Sequence, residues 1–388
     1  MRGSVKKRGD TWSIIYRAVD PASGQTKQVW KGGFGTKKAA EDELKELVRK
    51  VDEGTWTRPT KQTLAQFLED DWLPSLDAAV AGGSLKASTV AHYRRLAESH
   101  VKPRIGGLLL TRLDAPALNR LYGELLATGR RTGKKKGGPL SPTTVHAVHV
   151  TIGRALGDAV RWGNVSRNVA RLATPPSPAS PEHDGWWIAE QLRTFAGGVD
   201  GDRLSALWRL AMTTGMRRGE LCGLRWQDVD LEAARLKVAS TRVVVDYQVL
   251  TVNPKSRASA RTIALDPATS VALKAHRRRQ LEERMAWGPG WTDSGLVFTQ
   301  EDGEGFHPER VTRMFQAAAK KAELPVIPLH GLRHSYASAG LRAGVGLKVM
   351  QERLGHASLS VTSDIYSHVA PEVDQEAADT TANYIFGA

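Results

Sequence analysis

The chain has 388 residues, 41% hydrophobic and 25% charged, with 55 Lys+Arg against 41 Asp+Glu and a formal net charge of +14. That length calls for two or three domains, and the balance of apolar and charged residues excludes wholesale disorder. A lone cysteine, Cys222, excludes an internal disulfide and a cysteine-built zinc site, and no run approaches the ~18 consecutive apolar residues of a membrane span. The basic N-terminus lacks the apolar stretch of a secretory signal, so the expectation is a soluble protein of the cytoplasm. Residues 1–60 carry +5, residues 61–175 carry +9 and residues 176–388 carry zero. A surplus placed this way points to a polyanion, nucleic acid before an anionic membrane surface.

Two breaks in composition, at residues 54–63 and at the proline-rich 174–181, divide the chain into domains over 1–60, 61–175 and 176–388. In the first, β-strands are expected over 11–19 and 26–30 around a PASG turn at 21–24, followed by a helix over 36–53 with Thr36 as N-cap. Trp12, Tyr16 and Trp30 interleave with basic residues, a pattern suited to a sheet laid in a DNA groove. Lys6, Lys7, Arg8, Arg17, Lys27 and Lys31 are its candidate contacts. The plain alternative is a tiny core with a solvated charged edge.

The second domain reads as all helical, with apolar periodicity over 64–76, 88–101, 115–127 and 141–162. Ser88, Asp114 and Ser141 stand at N-cap positions, and Pro116 and Pro142 fall in first turns. Between the last two helices, GRRTGKKKGG at 129–138 sets five cations among glycines. Arg130, Arg131, Lys134, Lys135 and Lys136 are thus candidate phosphate contacts, although such runs also occur as solvated loops. His146 and His149 read as surface or packing residues. The third domain mixes helices over 206–214 and 220–224, strands over 235–239, 243–252 and 261–265, and helices again from 276 onward.

Four short stretches of this last domain hold the residue types of one chemistry: TGMRRGEL at 214–221, NPKSRASARTI at 253–263, HGLRHSYAS at 330–338 and LGHASLSVTSDIYSHV at 354–369. Taken singly, each is weak. Taken in order they resemble the tyrosine recombinases of the phage integrase class, whose catalytic order is Arg, Lys, His-x-x-Arg, His, Tyr. The matching positions are Arg217, Lys255, His330, Arg333, His356 and Tyr366. Two guanidinium forks suit a phosphate that gains charge during transesterification. His330 and Arg333, three residues apart, share one face of a helix.

The resemblance implies that Tyr366 is the nucleophile, His330 its base, His356 a hydrogen-bond donor to the phosphate and Lys255 the acid for the leaving 5′-oxygen. It implies a 3′-phosphotyrosyl intermediate and no metal or other cofactor. It further implies a fold of three parts: a small α+β arm-binding domain, an all-α core-binding domain and a mixed, mainly α catalytic domain. The implied partners are double-stranded DNA at core and arm attachment sites, three further copies in a tetramer, a host bending factor and an excision factor, with no membrane. The implied setting is the nucleoid of a prokaryotic cell. In such proteins the tail after the tyrosine, here 371–388 with its Tyr384–Phe386 cluster, packs on a neighbouring subunit.

Several alternatives stand beside these assignments. Arg257 and Arg261 share the hairpin of Lys255, and Arg218 adjoins Arg217. Glu220 is expected to orient an arginine or cap a helix, and His334 and His368 to play supporting parts. For the whole protein the alternatives are a DNA relaxer, a telomere resolvase or a DNA-binding regulator of the same fold.

Overall fold

The computed structural model describes residues 3–19, 25–53, 61–131, 133, 136–178, 185–245, 248–252, 260–356, 358, 382 and 385–387. The chain divides into two units, Met1–Ser180 and Pro181–Ala388. Among the described residues no helix is long and apolar enough to cross a membrane.

In the first unit, the apolar alternation of β2 (Thr11–Val19) makes it the central strand of an antiparallel sheet between β1 (Gly3–Arg8) and β3 (Thr26–Phe34). Ile14 pairs with Val5 and Lys31, and Ile15 with Ser4 and Trp30. Paired residues share a face. Tyr16 and Ala18 are buried beneath α1 (Lys37–Asp52), against Leu44, Leu47 and Val51. The Thr36 hydroxyl caps α1 by accepting the Ala39 N–H at 3.2 Å. The strand β1 is absent from the sequence expectation. GSVKKR has one large apolar residue, and an edge strand shows no alternation to read.

Helices follow: α2 (Leu64–Gln66), α3 (Leu73–Ala81), α4 (Ala87–Leu96), α5 (Lys102–Ile105), α6 (Ala115–Thr128) and α7 (Pro142–Arg161). They enclose Phe67, Trp72, Leu118, Leu125, Val145, Ile152 and Leu156 in one core. The four expected helices are present, but two contain π-helical stretches, Phe67–Trp72 and Ala97–Val101, that apolar spacing does not distinguish from α. From the first of these the Trp72 indole donates to buried Asp158 at 2.9 Å. Asp114 and Ser141 cap α6 and α7 through their side chains. Ser88 does not cap α4: Lys86 takes the N-cap position without a side-chain bond, and Ser88 lies in the first turn.

The second unit runs α8 (Ala189–Gly198), α9 (Ser205–Thr214), α10 (Arg218–Gly223), β4 (Val229–Asp230), β5 (Arg235–Lys237), β6 (Thr241–Val245), β7 (Gln248–Val252) and β8 (Thr262–Ala264). It ends with α11 (Pro267–Trp287), α12 (Pro308–Lys321), α13 (Leu329–Arg342) and α14 (Leu347–Leu354). Strand order is β4-β5-β8 in one antiparallel sheet, with β6-β7 a separate ladder. The single strand expected over 243–252 is two strands, Thr241 pairing with Val252 and Val245 with Gln248. The helix expected from 276 starts at Pro267, where Asp266 accepts the Thr269 N–H at 2.9 Å. The core centres on Trp187, Phe195, Trp208 and Phe315, with Trp187 and Phe195 ring centroids 5.0 Å apart. Burying each such ring contributes roughly 2–3 kcal/mol.

Candidate active site

Two glycines shape the backbone around the motif residues. Gly215 ends α9 in the left-handed region, with φ 60°. A Cβ there would lie 2.7 Å from Leu354 Cδ2 and from Tyr336 Cδ1, so only glycine lets these elements meet. Gly355 ends α14 in the same way, with φ 69°, and turns the chain into His356. The His356 N–H donates to Gln351 O at 3.2 Å, and Gln351 Nε2 donates to His356 O at 3.2 Å.

The C-terminus of α14 presents carbonyls that have no partner within the helix and a negative end of the helix dipole. Three arginines from three other segments satisfy three consecutive ones. Arg261 Nε donates to Arg353 O at 2.5 Å, Arg333 Nη2 to Leu354 O at 2.6 Å and Arg217 Nη2 to Gly355 O at 3.1 Å. Arg333 Nη1 also donates to Gly215 O at 2.6 Å. Glu220 sits between two of them. It accepts the Arg217 N–H at 2.9 Å and pairs with Arg217 Nη1 at 2.9 Å and Arg261 Nη2 at 3.0 Å.

Three guanidinium groups against one carboxylate leave two net positive charges in this cluster. Arg333 is 3% exposed, and among the described residues no carboxylate pairs with it. Burial, with Arg217 second, lowers its pKa to about 9, so it remains charged at neutral pH. Burial alone would raise the Glu220 carboxyl, but Arg261 and then Arg217 outweigh it and hold the pKa below the ordinary value.

His330 precedes Arg333 by three residues on α13, and its ring lies 5.0 Å, edge-on, from that of His334. The residue is exposed, yet the groups packed around its ring remove part of its water. That desolvation, with the neighbouring His334, Arg333 and Arg217, pushes its pKa down to about 4. His356 is likewise lowered to about 4, by desolvation and then by Arg333 and Arg217. Both are neutral imidazoles at pH 7. His334 is lowered by desolvation first, and its ring lies tilted at 42° to that of Trp186, with centroids 6.3 Å apart.

Arg217, His330, Arg333 and His356 thus come together around the end of α14. Lys255, Arg257, Tyr366 and His368 lie outside the described residues, as does nearly all of 371–388. Arg218 turns away and donates to Thr312 Oγ1 at 3.0 Å. Arg261 is committed to Glu220 and Arg353. Among the described residues no group of His, Cys, Asp and Glu is arranged to hold a metal ion.

The basic candidates of the first unit divide by face. Strand register sets Lys6, Arg8 and Arg17 with Trp30 on the sheet face opposite α1, and the Arg8 guanidinium lies over the Trp30 ring at 5.5 Å. Lys7, Lys27 and Lys31 belong to the α1 side, where Lys31 pairs with Glu43 at 2.5 Å. Arg130, Arg131 and Lys136 are exposed at a loop closed by Arg130 N–H to Gly138 O at 2.9 Å, and Lys134 and Lys135 are outside the described residues. His149 lies 2.8 Å from the Tyr122 hydroxyl, in a packing role. Sequence reasoning missed a groove of about 1010 Å³ beside α7, lined by Arg154, Arg161, Arg167 and Arg171. Charge at 154 and 161 is visible in the sequence, but its convergence with 167 and 171 depends on the turn after α7.

Comparison with known proteins agrees with this architecture. Residues 189–372 match the phage integrase family and residues 4–51 match an arm DNA-binding domain. A XerC-like tyrosine recombinase of Caldanaerobacter subterraneus is 28% identical over 366 residues, covering 89% of each chain. The fold is shared with the integrase of transposon Tn1549, solved with transposon right-end DNA, at 18% identity and TM-score 0.65, over 84% of this chain and all of that one. It is shared too with lambda integrase, solved as a tetramer on a Holliday junction, at 16% identity and TM-score 0.53, over 93% of this chain and 96% of that one. Residues 189–372 thus form a domain of the phage integrase family, the tyrosine recombinases, and residues 4–51 an arm DNA-binding domain.

Proposed function

We propose that the chain is the integrase of a mobile element, cutting and rejoining double-stranded DNA by transesterification with Tyr366 as nucleophile. The observation that carries this reading is Arg333, a buried cation held by two carbonyls, beside Arg217 and two neutral imidazoles. A buried charge without a counter-charge is costly, and an arriving phosphodiester supplies one. The two arginines clamp the non-bridging oxygens and His356 donates a ring N–H to one of them.

As the Tyr366 oxygen forms its bond to phosphorus, the bond to the 5′-oxygen breaks. The phenolic proton passes to His330, and the 5′-oxygen takes a proton from Lys255. One phosphodiester replaces another, so the reaction needs no energy source.

The rest of the chain fits the same assignment. Residues 1–60 grip arm sites through Lys6, Arg8 and Arg17, and residues 61–175 grip the core site with Arg130, Arg131, Lys136 and the groove arginines. Residues 176–388 carry the chemistry. Four copies assemble on DNA as lambda integrase does, and exposed Ile385 and Phe386 suit docking of the tail on a neighbour. Host bending and excision factors would set direction.

The test is a nicked suicide duplex spanning the junction between the element that carries this gene and its flanking DNA. The wild type should form a covalent adduct and Tyr366→Phe none. A wild type that binds this duplex without forming an adduct would make the protein a binding regulator instead. A two-site plasmid assay then separates recombination from relaxation.

A further inference from the structure

We infer that Arg261 is a positioning residue whose charge offsets Glu220 and so leaves the charge of Arg217 available to the scissile phosphate. The inference rests on the recombinase reading above.

The side chains of Arg261 and Glu220 are 7% and 5% exposed, and the Arg261 guanidinium is engaged by Glu220 and by Arg353 O. Arg217 is 37% exposed. The three form a row of alternating charge in which the Glu220 carboxylate is shared between two guanidinium groups. Arg261 binds both oxygens, Nη1 to Oε1 at 3.2 Å and Nη2 to Oε2 at 3.0 Å. Arg217 binds the same two, through Nη1 to Oε1 and through its backbone N–H to Oε2.

With Arg261 present, the row carries a net charge of +1 next to Arg333. Without it, Glu220 is left to Arg217 alone, and the two form a neutral pair that holds the Arg217 guanidinium back from the phosphate. The same guanidinium donates through Nε to Arg353 O, one carbonyl from the one held by Arg333 and two from the one held by Arg217. Arg261 therefore acts on the clamp through its charge at Glu220, and the bond to Arg353 O holds the guanidinium in place to do so. The planar fork is needed for both contacts, which lysine cannot make together.

A double-mutant cycle on the junction-derived suicide duplex tests this. Arg261→Met should slow adduct formation by about 100-fold, as loss of a preorganised charge contact does, with duplex affinity within about threefold of wild type. In a Glu220→Gln background, where there is no carboxylate to offset, the same change should cost about threefold or less. If Arg261→Met does not fold, Glu220→Gln alone and the double variant, which removes the buried pair together, carry the comparison. Equal losses in the two backgrounds, or a double variant more than about 30-fold slower than Glu220→Gln, would overturn the inference and leave Arg261 a structural residue. A wild type that forms no adduct overturns the recombinase reading, and this inference with it. A wild type that cleaves while Arg261→Met cleaves equally fast overturns the inference alone.

Discussion

In the proposed chemistry, the two imidazoles near Arg333 act in their uncharged form. With pKa values pushed down to about 4 by desolvation and by nearby cations, His330 has a lone pair for a proton and His356 retains a ring N–H to donate. Ordinary histidines would be partly protonated near pH 6.5 and would repel the arginines. In the DNA-free protein, NMR titration of the two rings should give midpoints below 5. The unfolded chain takes up protons at both positions near pH 6.5, whereas the folded chain resists until about pH 4. Stability should therefore fall as pH drops through that window, and His330→Gln/His356→Gln should flatten the fall in urea midpoint between pH 7 and pH 5. These two positions are legible as residue types in HGLRH and LGH, but their neutrality is not. It depends first on desolvation of the rings and then on the cations packed beside them, Arg333 and Arg217.

At the scale of elements, the end of α14 organises the site. A helix C-terminus needs donors, and Arg217, Arg261 and Arg333 supply them from positions 138, 92 and 21 residues away. Gly215 makes this possible by joining α9 to α10 without a side chain where Leu354 and Tyr336 approach. Gly215→Ala imposes left-handed backbone on a residue with a Cβ and forces those neighbours apart. It should cost about 2 kcal/mol or more in urea unfolding, and slow adduct formation because the carbonyl holding Arg333 shifts. The motif TGMR is easy to recognise in sequence. That its glycine is set by packing against an element more than a hundred residues later is visible in the fold.

Across the molecule, the proposed function assigns the holding and the cutting of DNA to different stretches of chain. The charge surplus lies in the first 175 residues, while residues 176–388 are neutral and concentrate a few cations around α14. Removing residues 1–60 should weaken binding to arm-site DNA and reduce its salt slope by about 3, for Lys6, Arg8 and Arg17, while core-duplex cleavage stays measurable. Filter binding across a salt series, run beside the adduct assay, checks both expectations. Loss of core cleavage in the truncated protein would show that the first module also supports the catalytic one.

Charge distribution, helix periodicity and caps such as Thr36, Asp114 and Ser141 are local properties, and reading the chain alone was enough to find them. The six motif residues and the family they resemble are also written in order along it. Strand β1, the two π stretches and the β6-β7 pairing were not, because an edge strand, a one-residue helical insertion and a reversal within a β-branched run leave no distinct spacing. Nor was the choice between adjacent cations. Arg217 faces the site while Arg218 turns to Thr312, and Arg261 is fixed by Glu220. Lys6, Arg8 and Arg17 face away from α1 while Lys31 is held by Glu43. Each of these outcomes depends on which distant carbonyl or carboxylate the packed elements bring within hydrogen-bond reach, and a linear pattern of charges carries no record of that partner.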